Sequence, residues 1–124
     1  MHLGSSLLIG GTGDTAAPWD WGTGMAFEHV GSATRGLVAL EGADHFFMTT
    51  PCERMPWIEA LPEAYRGMFC SDPAWEKPAA LALTAQVTTS FLMETLVGEP
   101  QAAAALDPAL FAAWDGLSVT FSRD

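Results

Sequence analysis

The first half of the chain alternates short apolar runs with a longer segment that suits a helix. Residues 6–10 (SLLIG) form a continuous apolar run that ends in glycines, which predicts a buried strand of the kind found in parallel sheets. Residues 35–41 (RGLVALE) predict a second strand, which Gly42 ends. Between them, a helix is predicted over residues 18–30, because proline suits the first helical turn and Gly31 can cap the end. The first half therefore predicts a β–α–β unit.

The second half is predicted to be mainly helical. Residues 79–97 give the longest helix, and Gly98 followed by Pro100 stops it. Its apolar stripe is predicted from residues at helical spacing, namely Leu81, Ala85, Thr88, Leu92 and Leu96, widened by Val87, Phe91 and Thr95. The remaining predicted elements are short helical segments over residues 61–68, after the N-cap in Ser71-Asp72-Pro73, over residues 101–106 and from Asp107-Pro108 to Trp114, and an edge strand over residues 117–121.

Strands that alternate with helices favour an α/β fold with a parallel sheet and crossover helices. The length fits one domain that spans residues 1–124. Hydrophobic residues make up 49% of the chain and charged residues only 16%, which argues against disorder. Two convincing strands are poor cover for such apolar helices, and few charges are available to cover the remaining apolar surface. We therefore expect that something else packs against this chain.

Acidic residues dominate the charge of the chain. The formal net charge is −10, and the five basic residues are Arg35, Arg54, Arg66, Lys77 and Arg123. They form no basic stripe, so we expect no binding to nucleic acid or to an anionic membrane surface. No signal peptide is predicted, and residues 79–97 contain Gln86 and Glu94, which favours a buried helix over a membrane span. The cellular location stays open.

Cys52 and Cys70 are the two cysteines of the chain and lie 18 residues apart. A disulfide closing a loop of that size would stabilise the fold by about 3 kcal/mol in the chain-entropy model. Two reduced, buried thiols are the alternative, and the spacing alone does not decide between them. Because there is no CxxC pair and no second ligand cluster, no metal site is predicted.

Two residues with catalytic chemistry follow the two predicted strands. Asp14 lies in GGTGDT, just past the first strand, and His45 lies in LEGADHFF, just past the second. Since a parallel β–α–β unit places the carboxyl ends of both strands at one edge of the sheet, the two loops are expected to emerge close together. A carboxylate beside an imidazole can hold its tautomer and stabilise the imidazolium. We expect Asp44, by contrast, to be a solvated loop residue.

These two segments resemble the C-terminal part of α/β-hydrolases, in the branch of the dienelactone hydrolases, platelet-activating-factor acetylhydrolases and bacterial cutinases. LLIGGTGDTAAP is similar to the strand and loop that deliver the triad acid, and LEGADHFF to those that deliver the triad histidine. The resemblance implies that Asp14 is the orienting acid and His45 the general base. It also favours a disulfide between Cys52 and Cys70. The implied fold is the C-terminal fragment of an α/β-hydrolase: a few-stranded, mostly parallel sheet packed with helices. The apolar content and the open sheet edge lead us to expect that oligomerisation completes it.

The nucleophile of such a hydrolase is absent from the sequence. The family places its serine in a G-x-S-x-G elbow upstream of the Asp and the His, and no serine of this chain lies in that pattern. We therefore expect little or no esterase activity from the chain alone, and a partner chain bearing the serine elbow would have to complete the triad. Trp19, Phe46 and Phe47 are candidates for a pocket that binds a small ester or a polyester, although core packing explains them equally well.

A non-catalytic alternative stays open. The chain would then be a truncated fragment that folds as a homo-oligomer, most simply a dimer, by covering its open sheet edge and helix faces with a copy of itself. No cofactor is expected, and the resemblance implies a parent family whose members are often secreted.

Overall fold

A three-stranded sheet organises the computed structural model, which describes residues 4–123. Strand β1 is Ser5–Gly11, β2 is Thr34–Leu40 and β3 is Leu117–Arg123, and they lie side by side in that order. Strands β1 and β2 pair in parallel, with Gly11 opposite Leu40 at their carboxyl ends. All three predicted strands are therefore present: the bounds of β1 and β2 are shifted by one residue, and β3 begins at Leu117 as predicted and runs two residues further.

The sheet is mixed, whereas the sequence predicted a mostly parallel one. Strand β3 runs antiparallel to β2, and Leu117 pairs with Leu40. The reason is that a turn at Gly116, which has a φ of 75°, brings the chain in beside the end of β2. The amide of Glu41 donates a hydrogen bond of 2.7 Å to the carbonyl oxygen of Gly116 and fixes this corner. A strand that starts where its neighbour ends must run back along it.

Five α-helices accompany the sheet within residues 4–123, and four of them lie in the second half of the chain. Their bounds are Thr23–His29 for α1, Glu63–Cys70 for α2, Lys77–Leu92 for α3, Pro100–Ala105 for α4 and Pro108–Phe111 for α5. Two short 3₁₀ turns, Cys52–Arg54 and Pro56–Ala60, precede α2, and a π-helical turn, Met93–Val97, extends α3.

The boundaries of the helices differ from prediction mainly at α1 and α3. Helix α1 begins at Thr23 because residues 18–22 form turns, in which the amides of Trp21 and Gly22 donate to the carbonyl oxygen of Pro18. Asp72 accepts hydrogen bonds from the amides of two residues that follow it, as an N-cap does, but the helix itself starts later, at Lys77. Asp107 caps α5 through the amide of Ala109, as predicted.

The core lies between the central strand and α3. Val38 and Leu40 of β2 are fully buried, and each such side chain contributes about 1.5–3 kcal/mol by leaving water. Helix α3 meets them with Ala80, Leu83, Val87 and Phe91, and Phe91 stacks on Phe121 of β3 at 6.4 Å between ring centroids.

The predicted stripe of the long helix is wrong for most of its members. Leu92 and Leu96 are 47% and 78% exposed, and Leu81 is only half-buried, whereas Val87 and Phe91 do lie in the core. Helix α3 is apolar around most of its circumference, so spacing alone did not define the buried face. The π-helical turn then rotates the residues beyond Leu92 out of the α-helical register on which the stripe was based.

The segment Lys77–Val97 is long and apolar enough to cross a membrane by length and composition, which alone is weak evidence. In the structure one face of α3 packs on the sheet. Cys52 and Cys70 form a disulfide with a Cα–Cα distance of 5.4 Å, which decides between the two alternatives left open by their spacing. The disulfide joins the first 3₁₀ turn to the end of α2.

Candidate active site

The structure brings Asp14 and His45 into direct contact at the carboxyl edge of β1 and β2. His45 Nδ1 lies 2.8 Å from Asp14 Oδ2. The side chain of Asp14 is 15% exposed and that of His45 is 41% exposed, so the pair sits at the surface with its imidazole accessible. The parallel pairing of the two strands produces this contact, because the loops that follow them leave the sheet at neighbouring positions.

Glycines allow the two loops to approach at backbone distance. The amide of Thr12 donates to the Leu40 carbonyl at 3.0 Å, and the amide of Gly13 donates to the Ala43 carbonyl at 3.1 Å. A Cβ atom on Gly11 would lie 2.1 Å from the carbonyl oxygen of Ala43, which no side chain could occupy. The acid loop, residues 12–17, and the histidine loop, residues 41–50, are therefore in main-chain contact before any side chain is considered.

Asp14 is held in its ionised form by its own loop. Its Oδ1 accepts hydrogen bonds from the amides of Ala16 at 2.9 Å and Ala17 at 2.7 Å, while Oδ2 faces His45. Partial burial raises the pKa of Asp14, but the hydrogen bonds from Ala17, His45 and Ala16 outweigh it, and the pKa lies below its usual value. A carboxylate only accepts hydrogen bonds, so His45 Nδ1 carries the proton. The other ring nitrogen, Nε2, is then the one that can accept a proton.

Aromatic side chains border His45. The ring of Phe46 meets the imidazole edge-on at 5.0 Å between centroids, and Phe46 in turn packs on Phe69 of α2 at 4.4 Å. These contacts limit the rotation of the imidazole without covering it. Phe46 does not belong to the lining of the cavity beside the pair.

A cavity of about 480 Å³ opens beside the pair. Asp14 and His45 belong to its lining, and its apolar walls come mainly from Leu8, Ile9, Ala17, Ala26, Phe47 and Met48. Of the three predicted pocket residues, only Phe47 is present. Trp19 lies instead over Gly24 and borders a separate cavity with Glu28. The lining includes one hydroxyl, that of Thr23, and neither serine nor cysteine occurs among the described residues that form it.

Asp44 has a larger role than the sequence suggested. Its Oδ1 accepts hydrogen bonds of 2.8 Å from the amide of Thr15, the hydroxyl of Thr15 and the amide of His45. The hydrogen bonds from the Thr15 amide and then from the His45 amide lower the pKa of Asp44 below its usual value. The expectation of a merely solvated loop residue is therefore replaced by that of a carboxylate shared between two loops. The only feature of the sequence that pointed to a role for Asp44 was its position next to His45.

The far end of the histidine loop is fixed by a buried lysine. Lys77, the sole lysine of the chain, is 5% exposed, and its Nζ donates to the Thr49 hydroxyl and to the Phe69 carbonyl. Burial lowers the pKa of Lys77, although the carboxylates of Asp72 and Glu53 act in the opposite direction. The burial of this cation was not predicted from the sequence.

No family model, curated protein or solved structure matches the chain. Among residues 4–123, no three histidine, cysteine or carboxylate side chains gather as a metal site would require.

Proposed function

We propose that this chain carries the acid–base pair of a serine-type carboxylic ester hydrolase, with Asp14 as the orienting acid and His45 as the general base. The observation that supports the proposal is the 2.8 Å contact between His45 Nδ1 and Asp14 Oδ2 beside an apolar cavity. The ring nitrogen left free by this contact is the one that such a mechanism uses.

In the proposed reaction, His45 Nε2 takes the proton of a hydroxyl as its oxygen attacks the ester carbonyl. Asp14 stabilises the imidazolium that forms, and the imidazolium then gives the proton to the alkoxide that leaves. An acyl-enzyme is the product of this half-reaction, and water releases the acid by the same proton transfers. No serine of these 124 residues lies in a G-x-S-x-G motif, so in the proposed reaction the hydroxyl comes from outside them.

The cavity suits the acyl portion of a neutral ester. Its walls are aliphatic and aromatic, and Asp14 and His45 are the only ionisable groups among the described residues that line it. A carboxylate in the lining and a net charge of −10 disfavour anionic substrates. Short-chain esters, or the ester bonds of an aliphatic polyester, are therefore the proposed substrates.

The proposal is tested by the release of nitrophenol from a short-chain nitrophenyl ester. We expect slow release from the chain alone, because water must replace the missing serine, and a rate no more than about 100-fold above that of His45→Ala, at the lower end of general-base catalysis. Asp14→Asn should remove most of the excess rate, since the wrong tautomer is then favoured. His29→Ala is the matched control, because His29 lies on α1 and bonds only to its own helix, at the carbonyl of Met25.

Two results would count against the general-base assignment. A rate that persists in His45→Ala would place the activity elsewhere. A rate that is the same in H₂O and D₂O and indifferent to Asp14→Asn would show that the imidazole attacks the ester directly, as free imidazole does.

The second candidate function is non-catalytic self-association. It is favoured by the apolar side chains left uncovered beyond the end of α3, where Leu96 is 78% and Val97 is 68% exposed, and by the two outer strands β1 and β3. This candidate predicts a dimer by light scattering that tightens with added salt, because a charge of −10 per chain repels its copy. A monomer at all protein and salt concentrations would contradict it. Leu96→Lys should dissociate the dimer, and Leu81→Lys serves as the control on the same helix.

A further inference from the structure

We propose that Asp44 is the positioning residue of the Asp14–His45 pair, in that its carboxylate ties the acid loop to the histidine loop and so sets the distance between the two functional groups. The proposal concerns the same site as the proposed function and rests on it for its catalytic meaning. Its geometry stands independently of any ester turnover.

One oxygen atom of Asp44 holds both loops. Thr15 directly follows Asp14, and it donates its amide and its hydroxyl to Asp44 Oδ1. His45 directly follows Asp44, and its amide donates to the same oxygen. All three distances are 2.8 Å. The donors therefore lie one residue from Asp14 on one loop and on His45 itself on the other.

The main chain of Asp44 is fixed as well as its side chain. Its amide donates a hydrogen bond of 2.8 Å to Asp72 Oδ2, and the other oxygen of Asp72 accepts from the amides of Ala74 and Trp75 at 2.9 Å. Asp72 lies two residues beyond Cys70, at the end of the segment closed by the disulfide. Asp44 is thus held between the acid loop and the second half of the molecule.

Within the described residues, three side-chain links join the acid loop to the histidine loop. They are the Asp14–His45 contact, the bond from the Gly42 amide to the Thr12 hydroxyl, and the bonds to the Asp44 carboxylate. Loss of the Asp44 carboxylate removes the third. The main-chain bond from the Gly13 amide to the Ala43 carbonyl remains, but the residues that follow Gly13 lose their own tie to the histidine loop, so the Nδ1–Oδ2 distance can lengthen. Because a histidine in water favours the proton on Nε2, a weaker contact with Asp14 moves the proton away from Nδ1. The tautomer of His45 is therefore the direct readout of positioning.

The experiment is nitrogen-15 NMR of the full chain with labelled histidine, in which His45 is assigned from the His45→Ala spectrum and His29 serves as internal reference. We expect wild-type His45 to hold its proton on Nδ1, and Asp44→Ala to change the tautomer ratio about tenfold or more, as the loss of charge-assisted hydrogen bonds predicts. Asp44→Asn should restore most of the wild-type ratio, because its amide oxygen can accept the same donors.

Asp107→Ala is the matched control, since it removes an aspartate that caps α5 far along the chain. It should lower stability without changing the His45 tautomer. Thr15→Val removes one of the three donors to Asp44 and should give a tautomer ratio between those of the wild type and Asp44→Ala. If Asp44→Ala does not fold, Thr15→Val decides whether Asp44 positions the pair. A wild-type tautomer ratio in Asp44→Ala, or in Thr15→Val when the alanine variant is unfolded, overturns the proposal, and so does an equal change in Asp107→Ala.

The outcome is separable from that of the proposed function. A tautomer change in Asp44→Ala together with no His45-dependent ester hydrolysis would leave the positioning role intact and refute the hydrolase assignment. Ester hydrolysis that depends on His45 but is unaffected by Asp44→Ala, with an unchanged tautomer, would do the reverse.

Discussion

Removal of the Cys52–Cys70 disulfide should destabilise the protein by about 3 kcal/mol. The bond closes a loop with a sequence separation of 18 residues, and the entropy of the unfolded chain rises when a loop of that size is opened. Apolar burial inside the loop offers little compensation. Ile58 is the only residue of the two 3₁₀ turns and α2 that is buried, at 5% exposure.

The size of the loss makes it measurable. Small domains have unfolding free energies of about 5–15 kcal/mol, so 3 kcal/mol is a large fraction of the total. With a urea dependence of about 1.5 kcal/mol per molar, the midpoint of unfolding should fall by about 2 M in a Cys52→Ser/Cys70→Ser variant. Tryptophan fluorescence reports the transition, because Trp57 lies inside the loop and Trp75 outside it.

Reduced wild-type protein is the control, since it should unfold at the same urea concentration as the double variant. A loss below about 1 kcal/mol would refute the loop-entropy reasoning. The segment would then be held by its other contacts, which are the hydrogen bonds from Lys77 and Thr49 to the Phe69 carbonyl and the packing of Phe46 on Phe69.

Three further predictions concern the two loops and their supports. Asp14 and Asp44 have folded-state pKa values below the usual value of 3.8, so the stability they contribute is present above that value and is lost as the pH falls through the folded pKa. The free energy of unfolding should therefore decline below about pH 5, and Asp44→Asn should make this decline shallower. Urea unfolding at a series of pH values measures both effects. Lys77→Met should lower the free energy of unfolding by about 1–3 kcal/mol because Thr49 and the Phe69 carbonyl lose a buried donor. An unchanged free energy of unfolding would mean that packing of the methionine side chain compensates for the lost hydrogen bonds. Gly42→Ala should cost about 1–2 kcal/mol because Gly42 has a φ of 73°, and a melting temperature equal to that of the wild type would contradict this.

The sequence was sufficient for the β–α–β unit and for the neighbourhood of Asp14 and His45. Both follow from local signals: two continuous apolar runs end in glycines, and the parallel pairing of such strands brings the loops after them together. The disulfide was favoured by resemblance, while spacing alone left it open. In each case the deciding information lay within a few residues or in the order of the elements.

Other features depended on contacts between distant residues. The buried face of α3 was not predictable because the helix is apolar nearly all round, and only the position of β2 selects Leu83 and Val87 over Leu92. The direction of β3 depends on the corner at Gly116, and the role of Asp44 depends on Thr15, which is 29 residues away. Neither a periodicity nor a short motif encodes such a partner.

The glycines at the meeting point of the two loops have a consequence for evolution. Gly11 and Gly13 stand where backbone carbonyls of Ala43 and Gly42 fill the space that a side chain would need. A substitution at either position would separate the loops whatever its chemical nature, and a change on the opposite loop could not make room, since the obstacle is main chain. Descendant sequences that keep the pair should therefore vary freely at the cavity walls and hardly at all at these two glycines, whereas descendants that have lost the pair should accumulate side chains there first.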